Sequence, residues 1–410
     1  MCILHTSDLH LGSRLFSDNP SFRKVLHEAF KEIADIALTK SCNLVLISGD
    51  LFDSSTLNRI DSETVLKSVE VLRELKKHGV KVAVSPGNHD IHLDGEGVLD
   101  LLEKAELILK PGVRVGDLIE VKPLDVEDYT LLALPGLRNS SEVDFVNSRR
   151  VRIVGEARGR KIVMVHSIVD IGSLRVGDLV PRLSGEKSVS LSTLDTLFPQ
   201  AVYFALGHVH YPIPLEKTGV TRAAYPGAPV GYDLNDLLDS FFLKNKGIRR
   251  RVLLVDLEGE TPRYEAVELS NTPDVGYVEL PEKVDSATAL NTLSNVMEKL
   301  KKPWRVVVVS VSRSVDSTVL ARLRSAAERE SAYAYIRVRG VEEAEPFTLT
   351  SLTQVSDLFE SERKLLEQLL PRYGLKIPPD RVQELIDLVS RGVPVEEVIR
   401  EILKAVDEVE

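Results

Sequence analysis

Asp8 and His10 lie two residues apart near the N-terminus, and four segments of related chemistry follow. They are Gly49-Asp50-Leu51-Phe52-Asp53, Gly87-Asn88-His89-Asp90, Met164-Val165-His166 and Gly207-His208-Val209-His210. Carboxylates offer hard oxygen donors, imidazoles offer borderline nitrogen donors, and Asn88 adds a neutral carbonyl oxygen. That mixture suits Mn²⁺ or a similar borderline ion better than Mg²⁺ or Ca²⁺. A carboxylate such as Asp50 can bridge two cations about 3.5–4 Å apart, which a neutral imidazole cannot do, and paired divalent ions are a common means of cleaving phosphate esters. His89 is adjacent to Asn88, so it should point away from that residue's ion and toward a substrate. With an ordinary pKa of ~6.5 it can protonate a leaving alkoxide. Asp90 is placed to orient the His89 ring.

Each of the five segments follows a short aliphatic run, which reads as a strand. In parallel α/β sheets, ligands gather where loops leave the carboxyl ends of strands. The runs at 3–7, 44–48, 81–85, 117–121, 130–133, 161–165 and 202–206 are the expected strands. The run at 44–48 is continuously apolar, as in a strand buried on both faces. Helical spacing of Phe22, Val25, Leu26, Ala29, Ile33 and Ile36 predicts a helix over 21–39. Further helices are expected over 62–78, closed by Gly79, and over 97–107. Residues 251–256 and 264–269 read as a hairpin around Glu258-Gly259 that closes the first domain's sheet.

A second unit starts near Pro273, with strands at 276–280, 305–311 and 334–338 and helices at 287–300 and 317–329. From residue 349 the pattern is helical. Val395, Val398, Ile399, Ile402, Leu403 and Val406 form one stripe, with Pro378-Pro379-Asp380 and Gly392-Val393-Pro394 as punctuation. These helices are too small to hold a core alone, so they must pack on the body or on a partner. The expected division is 1–272, 273–345 and 346–410.

The chain has 410 residues, with 43% hydrophobic and 28% charged, ordinary for a globular protein. No apolar run approaches the roughly 20 residues of a membrane helix, and the N-terminus reads as a strand and not a signal peptide. The net charge of −10 excludes a globally basic nucleic-acid binder. Two local basic patches stand out: Arg149, Arg150, Arg152, Arg158, Arg160 and Lys161, and Lys244, Lys246, Arg249, Arg250 and Arg251. Each reads equally as solvated loop charge. Cys2 and Cys42 are the only cysteines, which argues against a disulfide framework and for a reducing compartment. His27 and His78 fall on helices and read as core or surface residues, while His5 and His92 read as structural or as supports behind the ligands.

The order DxH, GDxxD, GNHD, a lone His and GHxH resembles the calcineurin-like metallophosphoesterase superfamily. The opening His5-Thr6-Ser7-Asp8-Leu9-His10-Leu11-Gly12 resembles, within it, the SbcD-type or meiotic-recombination-eleven nucleases of double-strand-break repair, in an archaeal-like form. Ala205-Leu206-Gly207-His208-Val209-His210 and Tyr225-Pro226-Gly227-Ala228-Pro229 agree with that branch. The resemblance implies an α/β fold: a metallophosphoesterase β-sandwich flanked by helices, then a small α/β cap, then a helical segment that grips an SMC-like coiled-coil ATPase. It implies one ion on Asp8, His10, Asp50 and His210, and another on Asp50, Asn88, His166 and His208. His89 becomes the acid that helps expel the 3′ oxygen.

The activity so implied is Mn²⁺-dependent: 3′→5′ exonuclease on duplex ends and endonuclease on single strands, in homologous recombination and repair. The setting would be cytoplasmic and nucleoid-associated. A homodimer is also implied, through the helices at 62–78 and 97–107; the stripe Val65, Leu66, Val69, Leu72 and Leu75 serves either that or the core. Asp53 stands where many archaeal and eukaryal members carry His and bacterial members tend to carry Asp. That bears on exonuclease strength and polarity, and leaves Asp53 to orient His10 or His89. Two other readings exist. One is a phosphodiesterase or phosphatase for nucleotides or other small esters, which would not need the later domains. The other is an inactive assembly factor, which the complete ligand set disfavours.

Overall fold

Alternation within the aliphatic runs decides the layers. In Leu44–Ser48, Leu44 and Leu46 face one core while Val45 and Ile47 face another. The same period of two splits Ile162 and Met164 from Val163 and Val165, and Tyr203 and Ala205 from Phe204 and Leu206. A strand covered on both faces has no polar side to show, which is why these runs are continuous.

The protein is described from a computed structural model, which covers residues 2–93 and 95–339. The chain divides into Met1–Val341 and Glu342–Glu410, and the helices expected beyond residue 346 lie outside the described residues. Strand β1 (Cys2–Thr6) precedes helix α1 (Pro20–Thr39), β2 (Leu44–Ser48), α2 (Ser62–Lys77), β3 (Lys81–Ser85) and α3 (Val98–Lys104). Then come β4 (Leu124–Val126), β5 (Tyr129–Leu134), β6 (Arg160–His166), β7 (Ala201–Gly207), β8 (Thr218–Val220) and β9 (Ala223–Ala224). Helix α4 (Leu234–Asn245) leads to the hairpin β10 (Arg251–Asp256) and β11 (Arg263–Glu268). The rest is β12 (Asp274–Glu279), α5 (Ser286–Met297), β13 (Arg305–Val311), α6 (Ser317–Arg329) and β14 (Ala332–Val338).

Six strands in the order β8-β11-β10-β1-β2-β3 form one sheet, and five in the order β9-β7-β6-β5-β4 form the other. Ile3, Leu44 and Leu46 of the first meet Leu131, Ile162, Met164 and Tyr203 of the second in the central core. The outer face of the first sheet packs on α1 and α2, and that of the second on short helices including Ser141–Asn147 and Leu191–Leu197. This is the expected α/β sandwich flanked by helices. In both sheets the site strands run parallel, β1-β2-β3 and β7-β6-β5. Their carboxyl ends therefore deliver their loops to one edge.

Helix starts follow their side-chain chemistry. Asn19 accepts from Phe22 N–H ahead of Pro20, Asp61 accepts from Thr64 N–H, and Asp233 accepts from Asp236 N–H. The stripe on α2 is divided: Leu72 and Leu75 are core, Val65 and Val69 are half-buried, and Leu66 is 63% exposed.

The parallel layer β12-β13-β14 has its own core with α5 and α6, including Val307, Val309, Leu293 and Leu323. Its other face, through Val275, Val306, Val308 and Tyr333, joins the core around α1. Helix α4 runs beneath it: Lys244 pairs with Asp274, and the Phe241 and Tyr277 rings lie 5.9 Å apart. One expectation is corrected. Cys2 and Cys42 are joined in a disulfide, with Cα atoms 4.4 Å apart. Cys42 lies two residues before β2, which pairs with β1, so strand pairing brings the two residues side by side. No described helix is long and apolar enough to cross a membrane.

Candidate metal centre

The five segments converge. Backbone pairing ties the first two loops together: Asp8 N–H donates to the Gly49 carbonyl, His10 N–H to that of Asp50, and Asp53 N–H to that of Leu11. Asp8, His10, Asp50 and His208 all adopt left-handed backbone, with φ of 55°, 45°, 51° and 84°. Such conformations cost of order 1–3 kcal/mol each and persist where surrounding structure enforces them. Glycines admit the close approaches. A Cβ on Gly87 would lie 2.1 Å from Asp50 Oδ1, and one on Gly207 would lie 1.8 Å from the Ser48 carbonyl oxygen.

The buried histidines have their outer nitrogens committed. His166 Nδ1 donates to the Ser48 carbonyl at 2.9 Å, and His210 Nδ1 to Asp236 Oδ2 at 2.8 Å. His10 Nδ1 faces Asp53 Oδ1 at 3.3 Å. Each partner is an acceptor with no proton to give, so each neutral ring carries its lone pair on the inward Nε2. Those lone pairs meet other acceptors. His10 Nε2 and His210 Nε2 are 3.2 Å apart. His166 Nε2 is 3.0 Å from Asn88 Oδ1 and 3.2 Å from Asp50 Oδ2. The same Asp50 oxygen is 3.7 Å from His10 Nε2, and Asp8 Oδ1 is 3.7 Å from His210 Nε2. Asn88 Oδ1 also lies 3.1 Å from His208 Nδ1. Lone pair facing lone pair, out of water, is repulsive unless a proton or a metal ion lies between them. The donor set thus fits divalent metal. Asp8, His10 and His210 form one cluster of donor atoms within 4.8 Å; Asp8, Asp50 and His166 form another; His10, Asp50 and His89 form a third.

The electrostatics report the same demand for positive charge. Burial opposes ionisation of His166, but Asp50 beside it outweighs burial and lifts its pKa to about 10. His208, buried next to His166, is pushed down to about 3. Burial would raise Asp50, yet His166 and its neighbours hold it well below the usual carboxylate range.

His89 borders the cluster with His10 and Asp50. Its backbone N–H donates to Asp50 Oδ1 at 2.9 Å, while its side chain remains a quarter exposed. His89 Nδ1 lies 3.3 Å from Asp53 Oδ1, the atom that also faces His10, so Asp53 orients both rings. Burial lowers the His89 pKa, but the Asp53 hydrogen bond and the Asp50 charge raise it to about 9. Asp90 does not touch the His89 ring, contrary to expectation. Its carboxylate accepts from Gly87, Leu51 and Phe52 N–H groups, because three backbone donors of two loops converge on it. His5 is structural, held between Tyr203 and Ser48 hydroxyls, and His92 faces Ser55.

Sequence reasoning missed Asp236, which backs His210, and Tyr232, whose ring stacks on His10 at 4.7 Å. Asp233 before Leu234, Leu237, Leu238 and Phe241 was the signal for α4, an N-cap ahead of helical spacing. The basic patches are largely spoken for. Arg250 and Arg251 are buried and donate to carbonyls of His210 and Leu215 among others. Arg160 donates to the Leu257 carbonyl, and Arg152 pairs with Glu120.

A family model described as calcineurin-like phosphoesterase matches residues 1–212. The chain belongs to the calcineurin-like phosphoesterase family. Within that class it is 26% identical over 387 residues to the DNA double-strand break repair protein Mre11 of Archaeoglobus fulgidus, covering 90% of this chain and 81% of that one. It is 27% identical over 352 residues to the protein of the same name from Aeropyrum pernix, covering 79% and 77%. To the SbcD component of the nuclease SbcCD of Escherichia coli it is 33% identical over 259 residues, covering 56% and 60%.

Proposed function

We propose that this chain is a DNA nuclease of double-strand-break repair that works with two divalent ions, Mn²⁺ by the nature of its donors. The observation that carries the reading is the set of inward lone pairs of His10, His166 and His210 converging on Asp8 and Asp50. Asp8, His10, Asp50 and His210 would hold one ion, and Asp50, Asn88, His166 and His208 the other, with Asp50 shared. When bound, the ions supply an activated water and neutralise charge on the phosphoryl oxygens. His89, kept protonated by Asp53 and Asp50, gives its proton to the leaving 3′ oxygen. Asp53 holds that ring and His10 in register through one oxygen.

The relatives named for DNA repair span most of this chain, which supports DNA as the substrate. By the same likeness, 3′→5′ exonuclease and single-strand endonuclease activity, a homodimer and a nucleoid setting belong to this reading. Residues 273–345 serve as a cap for DNA, and residues 346–410 bind the SMC-like ATPase.

The test is an assay of linear duplex DNA against small phosphodiesters with Mn²⁺, Mg²⁺ and Zn²⁺ varied. Mn²⁺-dependent loss of duplex from 3′ ends, abolished by Asp8→Asn, is the expected result. Turnover of small esters alone would replace the nuclease with the small-ester reading.

A further inference from the structure

We propose that Asp236 is a positioning residue for this centre: it fixes the proton of His210 on Nδ1 and so aims the Nε2 lone pair at the ion shared with Asp8, His10 and Asp50. The inference rests on the two-metal reading above. Asp236 is fully buried, and its Oδ2 accepts from two donors, His210 Nδ1 at 2.8 Å and Tyr232 N–H at 2.9 Å. The first contact sets a tautomer. The second places the Tyr232 ring, which lies nearly parallel to His10 at 4.7 Å between centroids, with 21° between planes. One carboxylate oxygen thereby braces both imidazoles of a single ion position, His210 directly and His10 through Tyr232.

Several contacts hold Asp236 itself in place. Its backbone N–H donates to Asp233 Oδ1 at 2.9 Å, and its carbonyl accepts from Arg250 at 2.7 Å. Arg182 approaches Oδ1 at 3.4 Å, so the buried anion has cationic company. Arg250 also donates to the His210 carbonyl, which pins the backbone of the same histidine. The turn before α4 is built around the carboxylate: Gly231 has φ of +92°, and a Cβ there would lie 2.3 Å from Asp236 Cβ. Carboxylates behind metal-bound histidines fix ring orientation and raise ligand basicity, and losing one typically costs about 10–100-fold in metal affinity.

Asp236→Asn separates this role from simple support. Both donors meet the same oxygen, so the amide has two settings. With its NH₂ there, it loses the Tyr232 N–H and moves the His210 proton to Nε2; with its oxygen there, it keeps both bonds but removes the negative charge that raises the ring's basicity. Either way His210 becomes the weaker ligand. In calorimetric Mn²⁺ titrations, one of two ions should bind about 10–100-fold more weakly while the other is unchanged. The thermal unfolding temperature in chelator should fall, because the buried His210 and the neighbouring Arg182 lose their anionic partner, so the positioning role is read from the affinity. In a His210→Ala background, Asp236→Asn should add no further loss, because it acts through that ring. Wild-type affinity in Asp236→Asn overturns the proposal, as does an equal additional loss in the His210→Ala background. A lower melting point with unchanged affinity would make Asp236 a structural residue only and also overturns it. Should Asp236→Asn not fold, Gly231→Ala displaces the carboxylate with its charge kept, and the same loss is expected. A wild-type protein that binds two ions but cuts no DNA removes the substrate reading and leaves these outcomes decisive for Asp236.

Discussion

Alanine at position 49 would put a methyl carbon 1.9 Å from His166 Nδ1, 2.5 Å from its Cγ and 2.7 Å from its Cε1. Ordinary contact needs about 3.5 Å, so the ring must retreat by roughly 1.5 Å. The 2.9 Å bond from Nδ1 to the Ser48 carbonyl cannot survive that movement. Losing it costs about 1 kcal/mol. The left-handed backbone at φ +90° adds about 1–2 kcal/mol for a residue with a Cβ, and overpacking adds about 1–3 kcal/mol. Gly49→Ala should therefore lose about 3–6 kcal/mol of stability.

The functional loss is separable. A ligand displaced by about 1 Å can cost about 10²-fold in rate, and Mn²⁺ affinity should fall in parallel. Gly79→Ala is the control: φ is +76° there, with nothing within 4 Å of the added carbon. It should lose only the backbone cost of about 1–2 kcal/mol and bind Mn²⁺ normally. Calorimetric Mn²⁺ titration and urea melts in chelator read both quantities. Wild-type Mn²⁺ affinity in Gly49→Ala, or equal effects of the two substitutions, would refute the placement of His166.

Three further outcomes concern protons. His89→Asn should keep Mn²⁺ affinity while turnover falls about 10²–10⁴-fold, and parallel loss of affinity would assign the ring to the metal instead. His89 acts as an acid, so turnover should decline as pH rises through its pKa; Asp53→Asn removes the carboxylate that raises it, and a pH–rate profile should show that limb moved to lower pH. Burial holds the His5 pKa near 3, whereas the unfolded chain titrates near 6.5. As pH falls below about 6.5 the unfolded chain takes up a proton that the folded one refuses, so stability drops until about pH 3. The loss between pH 7 and 4.5 is about 2–3 kcal/mol. Urea melts of His5→Gln should show a shallower decline, and an identical slope would count against a neutral buried His5.

The strands were legible because burial on both faces leaves uninterrupted runs such as Leu-Val-Leu-Ile-Ser, and the ligands were legible because they follow those runs directly. Asp53 was legible as a partner of His10 and His89 from its place in the motif. Asp90 was not, because the same spacing from Asn88 serves equally to collect backbone N–H groups, and only the fold of the Leu51-Phe52 loop decides between them. Asp236 lies outside every motif, and its link to His210 spans a turn, a cap and a tautomer, none of which has a fixed spacing. The disulfide escaped for a related reason: a separation of 40 residues carries no sign that strands β1 and β2 start side by side. Basic residues misled in the opposite sense, since clustered Arg250 and Arg251 serve buried carbonyls and not a solvent-facing patch.

Helix α4 connects two kinds of work. Near its start, Asp236 holds a ring of the candidate metal centre; near its end, Lys244 grips Asp274 at the head of β12. Twelve residues of helix span about 18 Å and resist compression. The two grips lie eight residues apart, about 12 Å along that helix. Thermodynamic linkage then runs both ways: if occupancy of the metal centre steadies the β12 layer by some factor, a load that steadies the layer must tighten the centre by the same factor.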